Sequence, residues 1–134
     1  MENATKMSTT AKNPMLSPVL MAKATGVALL LIALLGLFMD SLVSESFLTF
    51  DMTHTVLHFA LAAVALVVGF APFGQGYAVL YAKVFGVVYL LLGVVGFFVA
   101  AVGPIGLELG ENLVHLLIGA WALAAGFMGS GTST

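Results

Sequence analysis

Cysteine is absent from the chain. That excludes disulfide bridges, thiolate metal ligands and a Cys nucleophile together, and leaves the redox compartment unread. Charge is almost as scarce. Only 7% of the residues are charged, against roughly 25% in a typical soluble domain. The basic residues are four lysines and the formal net charge is −2, so there is no basic face of the kind that nucleic-acid binding needs. No Walker-type phosphate loop is present, and no Ser/His/Asp order points to hydrolysis.

What remains is apolar. Of the 134 residues, 61% are hydrophobic. Such a chain cannot cover itself with polar surface in water, and in lipid it has no need to, so the bilayer is its natural solvent. The length suits one domain. Met1–Ser17 is polar and reads as a flexible tail. Basic residues ahead of an apolar run invite a signal-peptide reading. However, the run Pro18–Met39 exceeds the roughly 7–15 residues of a signal core, and no small-residue cleavage site follows it. It is expected to be the first of four spans. At about 1.5 Å per residue it matches a hydrocarbon core roughly 30 Å thick. The others are Met52–Phe70, Tyr77–Val102 and Glu111–Met128. Between them lie a polar connection at Asp40–Asp51, a Pro/Gly turn at Ala71–Gly76 and a breaker at Gly103–Gly110. A short tail, Gly129–Thr134, closes the chain. The expected fold is an all-α integral membrane four-helix bundle.

The lysines sort to one side of this topology. Lys6, Lys12 and Lys23 precede or enter span one, and Lys83 follows the turn between spans two and three. Asp40, Glu45, Asp51, Glu108 and Glu111 fall on the other side. The positive-inside rule then puts both termini in the cytoplasm.

The chain also resembles itself. At a shift of 60 residues, Ala22–Phe38 matches Ala82–Phe98 at 8 of 17 positions, including Lys23/Lys83, Gly26/Gly86 and Gly36/Gly96. At a shift of 57, Thr55–Phe70 matches Asn112–Phe127 at 6 of 16, including His58/His115 and Gly69/Gly126. Two tandem hairpins of like orientation follow, related by a pseudo-two-fold axis along the membrane normal. His58 and His115 are then expected at similar depth in the outer half of the bilayer.

Helical spacing puts Asp51, His54, His58, Ala62, Ala65 and Gly69 on one face, and Glu108, Glu111, His115, Gly119, Ala122 and Gly126 on another. Small residues at this spacing let membrane helices approach closely, so both faces should point inward. A lipid-facing imidazole would leave polar nitrogens unsatisfied.

Three readings of the histidines stay open. In one they are hydrogen-bonded spacers that fix helix pairing, meeting each other, Asn112, Glu111 or Asp51. In another, His58 and His115 ligate a cofactor, either haem through both imidazoles or a chlorophyll-type pigment through one. In the third, His54, His58, Glu111 and His115 form a divalent-metal or proton-handling site, since His54/His58 and Glu111/His115 each stand four residues apart. Tyr89, expected near the inner third of span three, reads as a packed tyrosine. Trp121 reads as a mid-bilayer filler or lipid contact, and Lys23 and Lys83 as interfacial anchors.

The glycine-rich AKVFGVVYLLLGVVGFF of span three carries a resemblance. So does the entry Asn112-Leu-Val-His115 of span four, with its counterpart Val56-Leu-His58. Over most of Ala22–Phe127 the chain resembles a bacterial family of small four-helix membrane proteins of unknown function. More loosely it is similar to DoxX-like membrane proteins, some of which associate with quinone-linked oxidoreductases. The resemblance implies a multi-pass protein of the bacterial inner (plasma) membrane, with His58, Asn112 and His115 as signature positions. It supplies no activity. The expected role is that of a non-catalytic accessory or structural subunit whose partners are the bilayer and other membrane-protein subunits.

Overall fold

The computed structural model describes residues 13–39 and 51–129. Expectations for residues 1–12, 40–50 and 130–134, among them Asp40, Glu45 and the two tails, lie outside the described residues. Four helices form: α1 (Pro18–Met39), α2 (Met52–Phe70), α3 (Ala78–Val95) and α4 (Leu109–Met128). The segments Pro18–Met39, Met52–Phe70, Gln75–Val95 and Leu109–Met128 are each long and apolar enough to cross a membrane.

Local chemistry sets the helix starts. The Ser17 hydroxyl accepts from the Leu20 N–H at 3.2 Å, with Pro18 in the first helical position, where its missing N–H is not needed. Asp51 caps α2, its carboxylate accepting from the His54 N–H at 2.7 Å. Glu111 reaches back from the first turn of α4 to accept from the Glu108 N–H at 3.2 Å.

The third helix stops at Val95 rather than near Val102, and α4 begins at Leu109 rather than Glu111. Between them β1 (Ala101–Val102) and β2 (Ile105–Gly106) pair antiparallel. Gly103, at φ 58°, supplies the left-handed backbone that a two-residue hairpin turn requires. A uniformly apolar run hides such a hairpin, because neither hydropathy nor periodicity separates it from the helix before it.

Two helix pairs make the bundle, α1 with α2 and α3 with α4, and they meet mainly through α1 and α3. The interior is built from small residues. Ala22, Ala33, Ala65, Ala82, Ala122 and Ala125 are wholly buried, while Phe38 and Leu117 are 75% and 73% exposed. This inverts a water-soluble protein and suits a medium as apolar as the side chains themselves. The close approaches recur in both pairs. A Cβ at Gly26 would strike Leu66, and one at Gly86 would lie 2.8 Å from the Leu123 backbone nitrogen. Gly36 faces Thr55, and Gly96 faces Asn112. Larger core side chains, Met21, Leu29, Phe85 and Tyr89, fill the centre.

At the end of the bundle where α1 begins and α4 finishes, Asn13–Ser17 are ordered rather than a loose tail. Pro14–Leu16 form one helical turn, and the Trp121 indole N–H donates to the Met15 carbonyl at 2.6 Å. Trp121 therefore links two segments through its indole, a role beyond the filler or lipid contact expected of it. Its polar edge takes a carbonyl that α4's late turns bring beside it.

Because Leu123 meets Gly86 with its backbone, it cannot swing aside. Gly86→Val should cost about 1–3 kcal/mol, read as an earlier unfolding midpoint in an SDS titration from mild detergent. An unchanged midpoint would show that this contact is not close.

Candidate functional site

The polar residues of α2 and α4 converge at the end of the bundle opposite Lys23 and Lys83. Each is carried in the first turns of its helix, which the Asp51 cap and the Glu108–Glu111 hydrogen bond fix in register. His54, Glu111, Asn112 and His115 are all buried, at 6% exposure or less. His58 is half-buried.

The structure brings together all four candidate residues, but not as a symmetric pair of imidazoles. The ring contacts run His58 to His54 to His115, with centroids 4.3 Å apart for the first pair and 6.3 Å for the second. His54 also meets Glu111, with Nδ1 and Oε1 3.5 Å apart. The contact joins α2 to α4, and so joins the two helix pairs. Asn112 turns toward the preceding loop, its amide donating to the Leu107 carbonyl at 3.3 Å. The Nδ1 atom of His115 is buried and has no hydrogen-bond partner among the described residues.

Tyr89 belongs to this cluster. Its ring meets that of His115 edge-on, with centroids 5.0 Å apart. With α3 ending at Val95, Tyr89 lies within about two turns of the helix end. It heads an aromatic column: Tyr89 stacks on Phe85 at 4.0 Å and Phe85 on Tyr81 at 5.1 Å. The Tyr81 and Thr25 hydroxyls are 3.2 Å apart. Sequence reasoning missed this column, although Tyr81, Phe85 and Tyr89 recur every four residues and so share one helix face. Lys23 and Lys83 mark the opposite end, with their ammonium groups 5.2 Å and 4.5 Å from the ring centres of Phe70 and Phe127.

A cavity of about 230 Å³ adjoins the cluster and is lined from all four helices. Ordinary small-molecule sites measure roughly 300–1,000 Å³, and a tetrapyrrole is bulkier than most of their ligands. The His54 ring contacts both other imidazoles, and no direct contact between the rings of His58 and His115 accompanies these among the described residues. Among the described residues, no group of three or more His, Asp or Glu side chains is arranged to hold a metal ion. The contacts the cluster makes are hydrogen bonds and ring contacts. Each neutral imidazole can give one hydrogen bond and accept another.

No protein-family model, curated protein or solved structure matches the chain.

The Asp51 cap positions His54, so its loss should be felt at the cluster. Asp51→Ala should lower stability in detergent by about 1 kcal/mol, while Asp51→Ser keeps most of it. Equal unfolding midpoints for Asp51→Ala and the unaltered protein would contradict the capping role.

Proposed function

We propose that the chain is a four-span integral membrane protein of non-catalytic role, an accessory or structural subunit of a membrane assembly. In this reading its histidine–carboxylate cluster fastens two repeated hairpins at their outer end. The observation that carries the proposal is the His54–Glu111 contact at 3.5 Å. It joins side chains from the two hairpins inside a mostly apolar bundle, where hydrogen-bonding groups fix which helices pair.

The repeat reading draws support from matched contacts. Gly26 meets Leu66 as Gly86 meets Leu123, and Gly69 meets Lys23 as Gly126 meets Lys83. Lys23 rests over Phe70 as Lys83 does over Phe127. These pairs are what a pseudo-two-fold axis along the membrane normal would generate. The charge distribution supports an orientation. Lys23 and Lys83 lie at the bundle end opposite Asp51, Glu108 and Glu111, so the positive-inside rule puts the lysine end and both termini in the cytoplasm. The resemblance to small bacterial four-helix membrane proteins makes the inner (plasma) membrane the natural location.

Two measurements test this. The chain has no cysteine, so single cysteines at Ser44 and Thr132 can be labelled without background. They should react from opposite sides of the membrane, and labelling from one side would overturn the topology. The protein purified in mild detergent should be colourless and free of stoichiometric metal. A visible absorption band lost in both His58→Ala and His115→Ala would instead make it a haem- or pigment-binding subunit.

A further inference from the structure

The chain has three histidines, and all of them stand in the cluster. The His54 ring meets His58 with centroids 4.3 Å apart and His115 with centroids 6.3 Å apart. The Glu111 carboxylate is 3.5 Å from His54 Nδ1. Few other titratable groups face these rings. On α3 it is Tyr89, edge-on to His115. On α2 it is Asp51, about two turns from His58, with its carboxylate on the His54 N–H. Where α1 walls the cluster it presents Leu29, Ile32 and Leu35, none of them titratable.

Imidazole is the side chain whose charge changes between about pH 5 and pH 8. The first proton has a place prepared for it. On His54 it turns the contact with Glu111 into an ion pair, and that pair spans α2 and α4. A second proton has no such place. His58 is the most open of the three rings, half-buried where His54 and His115 are each 5% exposed, so it takes the next one. Its charge then stands beside that of His54, in surroundings where like charges repel more strongly than in water. Glu111 balances one positive charge, not two. Few close backbone approaches join α2 to α4, so little packing resists the repulsion.

We propose that the cluster is a joint released by acid. One proton, between His54 and Glu111, tightens it; a second, on His58, drives α2 and α4 apart. This rests on the fastening role proposed for the His54–Glu111 contact and adds the condition under which it lets go. On the four-span reading the cluster lies at the outer end, so the acidity it reads is that of the outer compartment. Folded, the cluster accommodates one proton. Unfolded, each imidazole is free to take its own. The unfolded state therefore binds more protons in acid, and stability falls as the pH drops.

The test uses the full chain in phosphatidylcholine nanodiscs. The chain has no cysteine, so Met52→Cys and Leu113→Cys, both at exposed positions, can carry a pair of spin labels on α2 and α4. Electron–electron dipolar spectroscopy should give one short distance at about pH 8. At about pH 5.5, still above the ordinary carboxylate range, that distance should be lost to longer ones. Histidine labelled with nitrogen-15 reports the charge directly, and the loss should follow the second imidazolium rather than the first. His58→Gln keeps a polar side chain that takes no proton, so its short distance should persist at the lower pH. Should that variant fail to fold by circular dichroism, the order of imidazolium formation and distance change in the otherwise unaltered protein carries the test. The proposal is overturned by the same distance at both pH values, by a change already complete at the first imidazolium, or by a change that persists in folded His58→Gln. Coupling between substitutions at His54 and Glu111 at about pH 8 reports the fastening separately, so a missing acid response is not confused with a missing joint.

Discussion

The contact between His54 and Glu111 is the constraint on which the end of the bundle where α2 and α4 begin depends. Elsewhere the helices are held mostly by shape, with the Thr25–Tyr81 hydroxyl contact as a second polar link between the pairs: glycines and alanines let backbones approach, and no hydrophobic force distinguishes one apolar neighbour from another in lipid. Shape alone would leave the two hairpins free to slide. A buried imidazole and a buried carboxylate cannot slide, because each is costly to strand without a partner. Asp51 and Glu108 fix the first turns that carry them. The contact therefore sets the register of α2 against α4. Through His54 it also sets the positions of the His58 and His115 rings.

This division of labour explains why the interior looks poor and the exterior rich. The wholly buried positions are mostly alanines, and the exposed ones include Phe38, Phe98, Leu117 and Met128. Packing in such a bundle is a matter of closest approach, and the matched glycine contacts of the two pairs are where approach is closest. The aromatic column Tyr81–Phe85–Tyr89 is the exception. It fills the gap that small residues leave at the centre and ends against His115.

Much of this was legible in the sequence. Four apolar stretches of spanning length could be read directly, because length and hydropathy are robust to detail. The inward turn of His54, His58 and His115 followed from helical spacing and from the small residues that share their faces. What stayed hidden depended on contacts between elements. That the His54 ring would meet both His58 and His115 could not be read from two helices considered separately. The Ala101–Gly106 hairpin was concealed because Ala, Val and Ile are as much at home in a spanning helix as in a short strand. Trp121's carbonyl partner lies 106 residues away in sequence, beyond the reach of any local pattern.

The central claim is that His54 and Glu111 join the two hairpins energetically as well as geometrically. A double-mutant cycle with His54→Ala, Glu111→Ala and the double variant isolates that link, because the loss of Glu111's own capping bond cancels between the two arms. Unfolding in SDS from mild detergent should show the two substitutions to be coupled by on the order of 1 kcal/mol. Strictly additive losses would mean that the two side chains are neighbours without being partners, and the fastening role would have to be abandoned.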